Sequence, residues 1–472
     1  MPKRDEYDAV VVGAGPNGLA AAITLGRRFD AVLLLEAEET VGGGTRSAAL
    51  TLPGFVHDVC SAVQPLSLAS PFFRRLNLPK YGLEWIQPEI PLAHPFEDGS
   101  ALFLHRSLEI TADAMGPDGK AYKRLLQPFV DHREKLLADI LMPLHFPENP
   151  LLMSRFAFYA MRSLRNLVET EFQSDRTRAL FAGLAAHAMI PLERTATAAF
   201  GIVLAVLAHG VGWPIIRGGS QKLADALADC FRSGGGEIVT GRRIAAADQM
   251  PRAASYFFDV TPRQLINIDG LGLSEGYRRR LARFRYGPGV CKVDWALKEP
   301  IPWKADICRK AGTVHLGGSL EEISSSLRDV SAGKMPSSPY IVLAQQSLFD
   351  PSRAPAGGHT AWAYCHVPHG SAADGSALVE DRIERYAPGF RDVILAKRAF
   401  SAAAMEQYNA NYVGGDINGG VQDLFQLYTR PVAALNPYRT SVPNVYICSS
   451  STPPGGGVHG LCGYFAARGL GG

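Results

Sequence analysis

The 472-residue sequence contains no CxxC pair and no HExxH, and its seven cysteines are odd in number and scattered (Cys60, Cys230, Cys291, Cys308, Cys365, Cys448, Cys462). That pattern argues against a disulfide framework, a thioredoxin-like dithiol and a zinc ribbon, so a reducing compartment is expected and no metal. Long apolar runs are also missing. The longest, 198–213, is broken by glycines and falls short of the ~20 residues a membrane-spanning helix requires, so it reads as a buried helix. Lys and Arg number 48 against 45 Asp and Glu, a formal charge of +3, and so slight an excess does not make a nucleic-acid surface. The opening residues pass into an apolar strand almost at once, so no signal peptide is expected and a cytoplasmic location is.

What is present is an ordinary globular profile, 47% hydrophobic and 20% charged, on a chain long enough for two domains. "YDAVVVGAGPNGLAAAITLGRRFDAVLLLEAEE" has the order a dinucleotide site demands. An apolar strand leads to Gly13, Gly15 and Gly18, an alanine-rich helix follows, and a second apolar strand ends at Glu36. Gly13 permits the tight turn, Gly15 lets a pyrophosphate reach the main chain, and Gly18 lets the helix press on the sheet. Pro16 and Asn17 open that helix, whose N–H groups and dipole favour phosphate. Glu36, followed by Ala37, can accept the hydroxyls of an adenosine ribose. A second glycine cluster comes next, "TVGGGTRS", with Gly43, Gly44, Thr45 and Arg46. A nicotinamide dehydrogenase has no use for it, whereas a long extended FAD runs past it, so FAD is the cofactor expected.

Near the other end stands "PNVYICSSSTPPGGGVHG", three glycines ahead of a helix-like segment. With the opening motif it resembles the flavin-containing amine oxidase and phytoene-desaturase superfamily, and "GGDINGG…LYTRPV" resembles its desaturase branch. That branch includes proteins named for a pyridine nucleotide-disulfide oxidoreductase domain, although this chain lacks a redox CxxC and a second dinucleotide fingerprint. The resemblance implies an α/β fold: a Rossmann-type, glutathione reductase-like FAD domain of amine oxidase topology and a discontinuous α+β substrate domain. The FAD domain would take 1–75, 212–265 and 420–472, and the substrate domain 76–211 and 266–419. It implies that Gly456, Gly457, Val458 and His459 close over the cofactor, with a helix beginning near Val458. The segment 212–244 would form the middle FAD segment, carrying main-chain groups of Val239 to the adenine.

The same resemblance points to Lys292, in "GPGVCKVDWALKEPIPW", as the lysine that meets flavin N5 through a water. It names His459 as the nearest titratable group to the ring, against a reading as a helix-terminal histidine bonded to backbone. Asp58 and Gln64, after the second glycine loop, would face the site. Two departures stand out. The usual Gly-Ser-Thr-His-Pro has lost its histidine, and the tyrosine of the amine oxidase cage is Gly457 here, which argues against amine oxidation.

Three further patterns stand on the residues alone. "TAWAYCHVP" alternates as a strand and puts Trp362, Tyr364 and His366 on one face, either as pocket wall or as sheet packing. Trp213 and Tyr412 join them as pocket residues, whereas Asn409, Asn411 and Asp416 read as turn groups. The stretch 151–168 reads as one cationic amphipathic helix, suited to a membrane interface or to packing on its own domain or on a second subunit. The reading is therefore an FAD-dependent desaturase-like enzyme for a lipophilic polyene or isoprenoid-like substrate, with oxygen or a quinone as external acceptor. A redox-neutral isomerase using reduced FAD and a flavin-holding interaction protein stay open, as does the oligomeric state, a homodimer included.

Overall fold

The structure is a computed structural model and describes residues 2–470. Two sheets organise it. Their strands, in chain order, are β1 (Glu6–Val12), β2 (Val32–Leu35), β3 (Ile90–Pro95), β4 (Ala101–Leu104), β5 (Glu237–Val239), β6 (Arg252–Phe258), β7 (Gly289–Leu297), β8 (Ala311–Leu316), β9 (Ile341–Ala344), β10 (His359–Val367), β11 (Ile394–Phe400) and β12 (Val445–Ile447). The helices that matter for the site are α1 (Pro16–Gly26), α2 (Pro150–Ala160), α3 (Leu164–Glu171), α4 (Asp175–Ala186), α5 (Thr197–Gly210), α6 (Gln221–Ser233) and α7 (Leu461–Arg468).

The first sheet runs β12-β6-β1-β2-β5 and is parallel throughout. Its central strands are continuous apolar runs, Val10–Val12 and Leu33–Leu35, as a sheet covered on both faces requires. α1 packs on it so closely that a Cβ on Gly18 would sit 1.8 Å from the Gly13 carbonyl. α7 packs on α1 in turn, and a Cβ on Gly463 would lie 1.8 Å from the carbonyl of Asn17. The carboxyl ends of β1, β2 and β6 therefore meet the glycine loop at one edge, the place where open α/β sheets bind ligands.

The second sheet runs β11-β7-β10-β9-β8-β3-β4 and is antiparallel apart from the β3–β8 pair. Strand alternation sorts its residues cleanly. Cys291, Val293, Trp295, Leu343, Ala363 and Cys365 pack into one apolar core. Val290, Val342, Ala344, Trp362 and Tyr364 join the other core, with α4 and α5 packed across it. The register sets Lys292, Asp294, His315 and His366 on that second face as well. The chain contributes to the first sheet near its start, in its middle and at its end, so the two sheets are interleaved in sequence.

Two expected helices differ. The stretch 151–168 is not one helix: Ser163 is extended (φ −66°, ψ 147°) and its hydroxyl accepts the Asn166 N–H, capping a new helix. Phe156, Ala160, Leu164 and Leu167 face the core, while Leu151 and Phe158 point outward, 88% and 69% exposed. Two of the three arginines in this stretch are paired, Arg162 and Arg165 with Glu171, Glu169, Glu193 and Glu321, while Arg155 is exposed. The C-terminal helix begins at Leu461 rather than near Val458, behind Gly460 in the left-handed region at φ 70°.

Candidate functional site

One cavity of about 570 Å³ runs from the end of the first sheet to the mixed face of the second. At the sheet end it is lined by Gly13, Gly15, Pro16, Asn17, Glu36, Ala37, Gly43, Gly44 and Arg46, all residues expected there from sequence. Glu36 is held in place: its Oε2 accepts the Ala14 N–H at 2.7 Å, and its Oε1 accepts the Glu38 N–H and Arg46 Nη2, both at 3.0 Å. The two glycine loops touch, since a Cβ on Gly43 would lie 3.1 Å from the Gly15 Cα. Asn17 Oδ1, at the start of α1, is buried without a hydrogen-bond partner in the protein. Gly18 and Thr45 support this end from behind. The Thr45 hydroxyl donates to the Gly42 carbonyl at 2.8 Å.

Asp259, at the end of β6, was not anticipated at the site. Its Oδ2 accepts the Gly18 N–H at 2.8 Å and would lie 2.8 Å from a Cβ on Gly15. Burial, reinforced by the neighbouring charge of Glu36 and opposed by the Gly18 N–H, pushes its carboxyl up to about 7. Arg242, Arg243, Ile244 and Ala245 close the same end. The available signal was an acid at the tip of an apolar strand, which becomes a site only when β6 is known to lie beside β1.

The far end is apolar and aromatic: Leu204, Trp213, Val342, Trp362 and Tyr364, with Tyr408 and Tyr412 along the side. Gln64 lines the passage between and is fully engaged, donating to Ser220 Oγ at 3.0 Å and accepting from Ser67 Oγ at 2.8 Å. Tyr412 stands against the second glycine loop, where a Cβ on Gly44 would come 2.5 Å from its hydroxyl.

Other expected residues lie off the cavity. Lys292 sits behind its wall, its ammonium in contact with Asp294, and burial lowers its pKa. β7 is internal to the sheet and Lys292 is only 1% exposed, so it is not an edge lysine in solvent either. Asp58 is tied to Arg353 at 2.8 Å and to Ser47 and the Ser220 N–H, each at 2.7 Å, a buried clamp between segments. His459 accepts the Leu461 N–H on Nδ1 at 3.0 Å, and burial drives it down to about 4, the arrangement of a helix-terminal histidine. His366 lies under the aromatic wall, beside Tyr364 and Tyr340. Val239 spends its carbonyl on the Glu36 N–H at 2.9 Å. Of the three C-terminal glycines, Gly457 reaches the cavity with Val458, whereas Gly455 abuts Arg430 and Gly456 abuts the Asn418 backbone. All three thus make room for protein, since a Cβ on Gly457 would lie 2.6 Å from Leu66 Cδ1.

A parallel sheet with a glycine loop, a strand-end acid and an aromatic cavity is a dinucleotide-dependent oxidoreductase architecture. Residues 11–75 match the model of the NAD(P)-binding Rossmann-like domain. The chain is 25% identical to pyridine nucleotide-disulfide oxidoreductase domain-containing protein 2 of Mus musculus over 98% of this chain and 93% of that one. It is 25% identical to a phytoene dehydrogenase of Streptomyces griseus over 82% and 77%. A redesigned putrescine oxidase shares the fold with a TM-score of 0.62 at 15% identity, over 98% of both chains. Over most of its length the chain is thus similar to desaturase-type oxidoreductases, and its fold is the one the amine oxidases share. The Rossmann loop and these relatives imply a flavin or nucleotide cofactor. The α/β fold with a parallel Rossmann sheet agrees with the expectation from sequence. No helix among the described residues is long and apolar enough to cross a membrane.

Proposed function

We propose that the protein is an FAD-dependent oxidoreductase that takes hydrogen from carbon–carbon bonds of a lipophilic, polyene or isoprenoid-like substrate. The observation that carries this reading is the continuity of the cavity. One end is built of glycine loops and Glu36 and the other of Leu204, Trp213, Val342, Trp362 and Tyr364. A dinucleotide and an apolar molecule would share that space.

The residues fit FAD. Gly13, Gly15, Pro16 and Asn17 would hold the pyrophosphate, Glu36 the ribose, and Gly43, Gly44 and Arg46 the chain beyond it, with Gly457 and Val458 opposite. The unpartnered Asn17 Oδ1 and the space that a Cβ on Gly43 would fill support that fit. When bound, FAD supplies a two-electron acceptor for a hydride leaving carbon. The protein's part is then position and dryness: the aromatic wall orients a flat substrate and excludes water. Every charged lining residue (Glu36, Glu38, Arg46, Arg242, Arg243, Asp259) belongs to the loop end, so the proton lost alongside the hydride would pass to a neutral acceptor, for which the imidazole of His187 lines the far end. Oxygen or a quinone would reoxidise the cofactor. Leu151 and Phe158 on the outer face of α2 would touch a membrane from which such a substrate enters.

The test is an anaerobic absorbance titration of the FAD-loaded protein with polyenes, isoprenoids and amines, followed by air. Bleaching by an apolar substrate and recovery in oxygen is the expected result. Protein that carries no flavin, or flavin that only dithionite reduces, would overturn it.

A further inference from the structure

The second sheet places a row of polar groups at the far end of the cavity that the hydride chemistry does not use. Thr313 on β8 is in register with Ala344 on β9, which is in register with Trp362 on β10. All three share one face, with Thr313 and Trp362 two strands, or about 10 Å, apart. The residue between them is only an alanine. Thr313 and Trp362 both line the cavity at 1% and 5% exposure. Thr313 Oγ1 and Trp362 Nε1 have no hydrogen-bond partner in the protein.

His187, directly after α4, lines the same end and meets His315 Nε2 through its own Nε2 at 3.0 Å. His315 Nδ1 is again buried and unpartnered. An unmade buried hydrogen bond costs about 1–3 kcal/mol, and two beside a cavity are the mark of a partner that comes from outside.

We propose that the cavity takes an elongated apolar substrate whose leading end carries an uncharged oxygen function, a hydroxyl or carbonyl, bound between Trp362 Nε1 and Thr313 Oγ1. The indole N–H needs an acceptor, and the threonine hydroxyl can complete either group. A carboxylate does not suit the place. Among the described residues no Lys or Arg lines this end, and burial lowers the His187 pKa to about 4, so its imidazole is neutral at pH 7. The inference rests on the lipophilic-substrate reading of the cavity and narrows it.

Calorimetric titration of the FAD-loaded protein with farnesol, farnesene and farnesoic acid at pH 7 tests it. Farnesol is expected to bind about tenfold more tightly than farnesene and than the acid. Thr313→Val keeps the shape and removes an unpaired group, so the ligand-free variant folds as before. It should weaken farnesol about tenfold and leave farnesene unchanged, whereas Trp362→Phe, which also trims the apolar wall, should weaken farnesol about tenfold more than it weakens farnesene. Farnesene binding as tightly as farnesol, or both variants weakening the two equally, overturns the inference alone. No binding by any of the three removes the lipophilic-substrate reading with it.

Discussion

At the residue scale Asp259 is the carboxyl at the loop end whose behaviour departs clearly from its type. A carboxylate beside the loop that would hold a pyrophosphate is an electrostatic misfit unless it keeps its proton. Its ordinary pKa is 3.8 and its folded value is about 7, so between those pH values the folded chain retains a proton that the unfolded chain releases. Stability of the cofactor-free protein therefore falls as pH rises through this window. Asp259→Asn should remove that slope in thermal unfolding scans from pH 4 to 8. At pH 8 it should also tighten FAD by roughly tenfold, read by equilibrium dialysis, because one unit of pKa corresponds to about 1.4 kcal/mol. A wild-type slope kept by the variant would assign it to another group. Gly18 is the other sharp case. Gly18→Ala drives a Cβ to 1.8 Å from the Gly13 carbonyl, so a loss of more than about 4 kcal/mol in denaturant unfolding is expected.

At the element scale the informative unit is the mixed face of the second sheet. Alternation in "TAWAYCHVP" was enough to put Trp362, Tyr364 and His366 on one side, because period two is a property of a strand by itself. The site's first half was legible for a similar reason: Gly13, Gly15, Gly18 and Glu36 lie within one β-α-β unit. What sequence could not assemble were contacts across strands, such as the Thr313–Ala344–Trp362 row or Asp259 against Gly18, 241 residues apart. Lys292 shows the same limit. Its strand was recognisable, but its partner Asp294 two residues along turned an anticipated flavin contact into a buried ion pair behind the wall. Removing one member of such a pair strands the other charge. Lys292→Met should cost about 3–5 kcal/mol in urea unfolding, and the double change with Asp294→Leu should regain most of it. A single change without effect would mean that the pair is neutral in the folded state.

At the scale of the whole molecule the question is how the apolar substrate proposed for the cavity would reach a buried aromatic wall. α2 packs on the same core as α5, whose Leu204 lines the cavity, and turns Leu151 and Phe158 to solvent. Two of the basic residues that would make this a cationic surface are neutralised within the protein, Arg162 by Glu171 and Arg165 by three glutamates, whereas Arg155 on α2 is exposed and, among the described residues, bonds only the Arg124 carbonyl. One arginine is left to attract anionic lipid, and the larger remaining resource is apolar area. Burying a leucine and a phenylalanine contributes about 1.5–3 kcal/mol each. Co-sedimentation with neutral phosphatidylcholine vesicles should therefore show binding that Leu151→Glu with Phe158→Glu weakens on the order of 100-fold. The binding should persist at 0.5 M salt, where the Debye length falls to roughly 4 Å and exposed charges are screened. Binding that needs anionic lipid and is lost in salt would return the contact to the arginines. Equal recovery of wild type and the double variant would move the substrate's entry elsewhere on the surface.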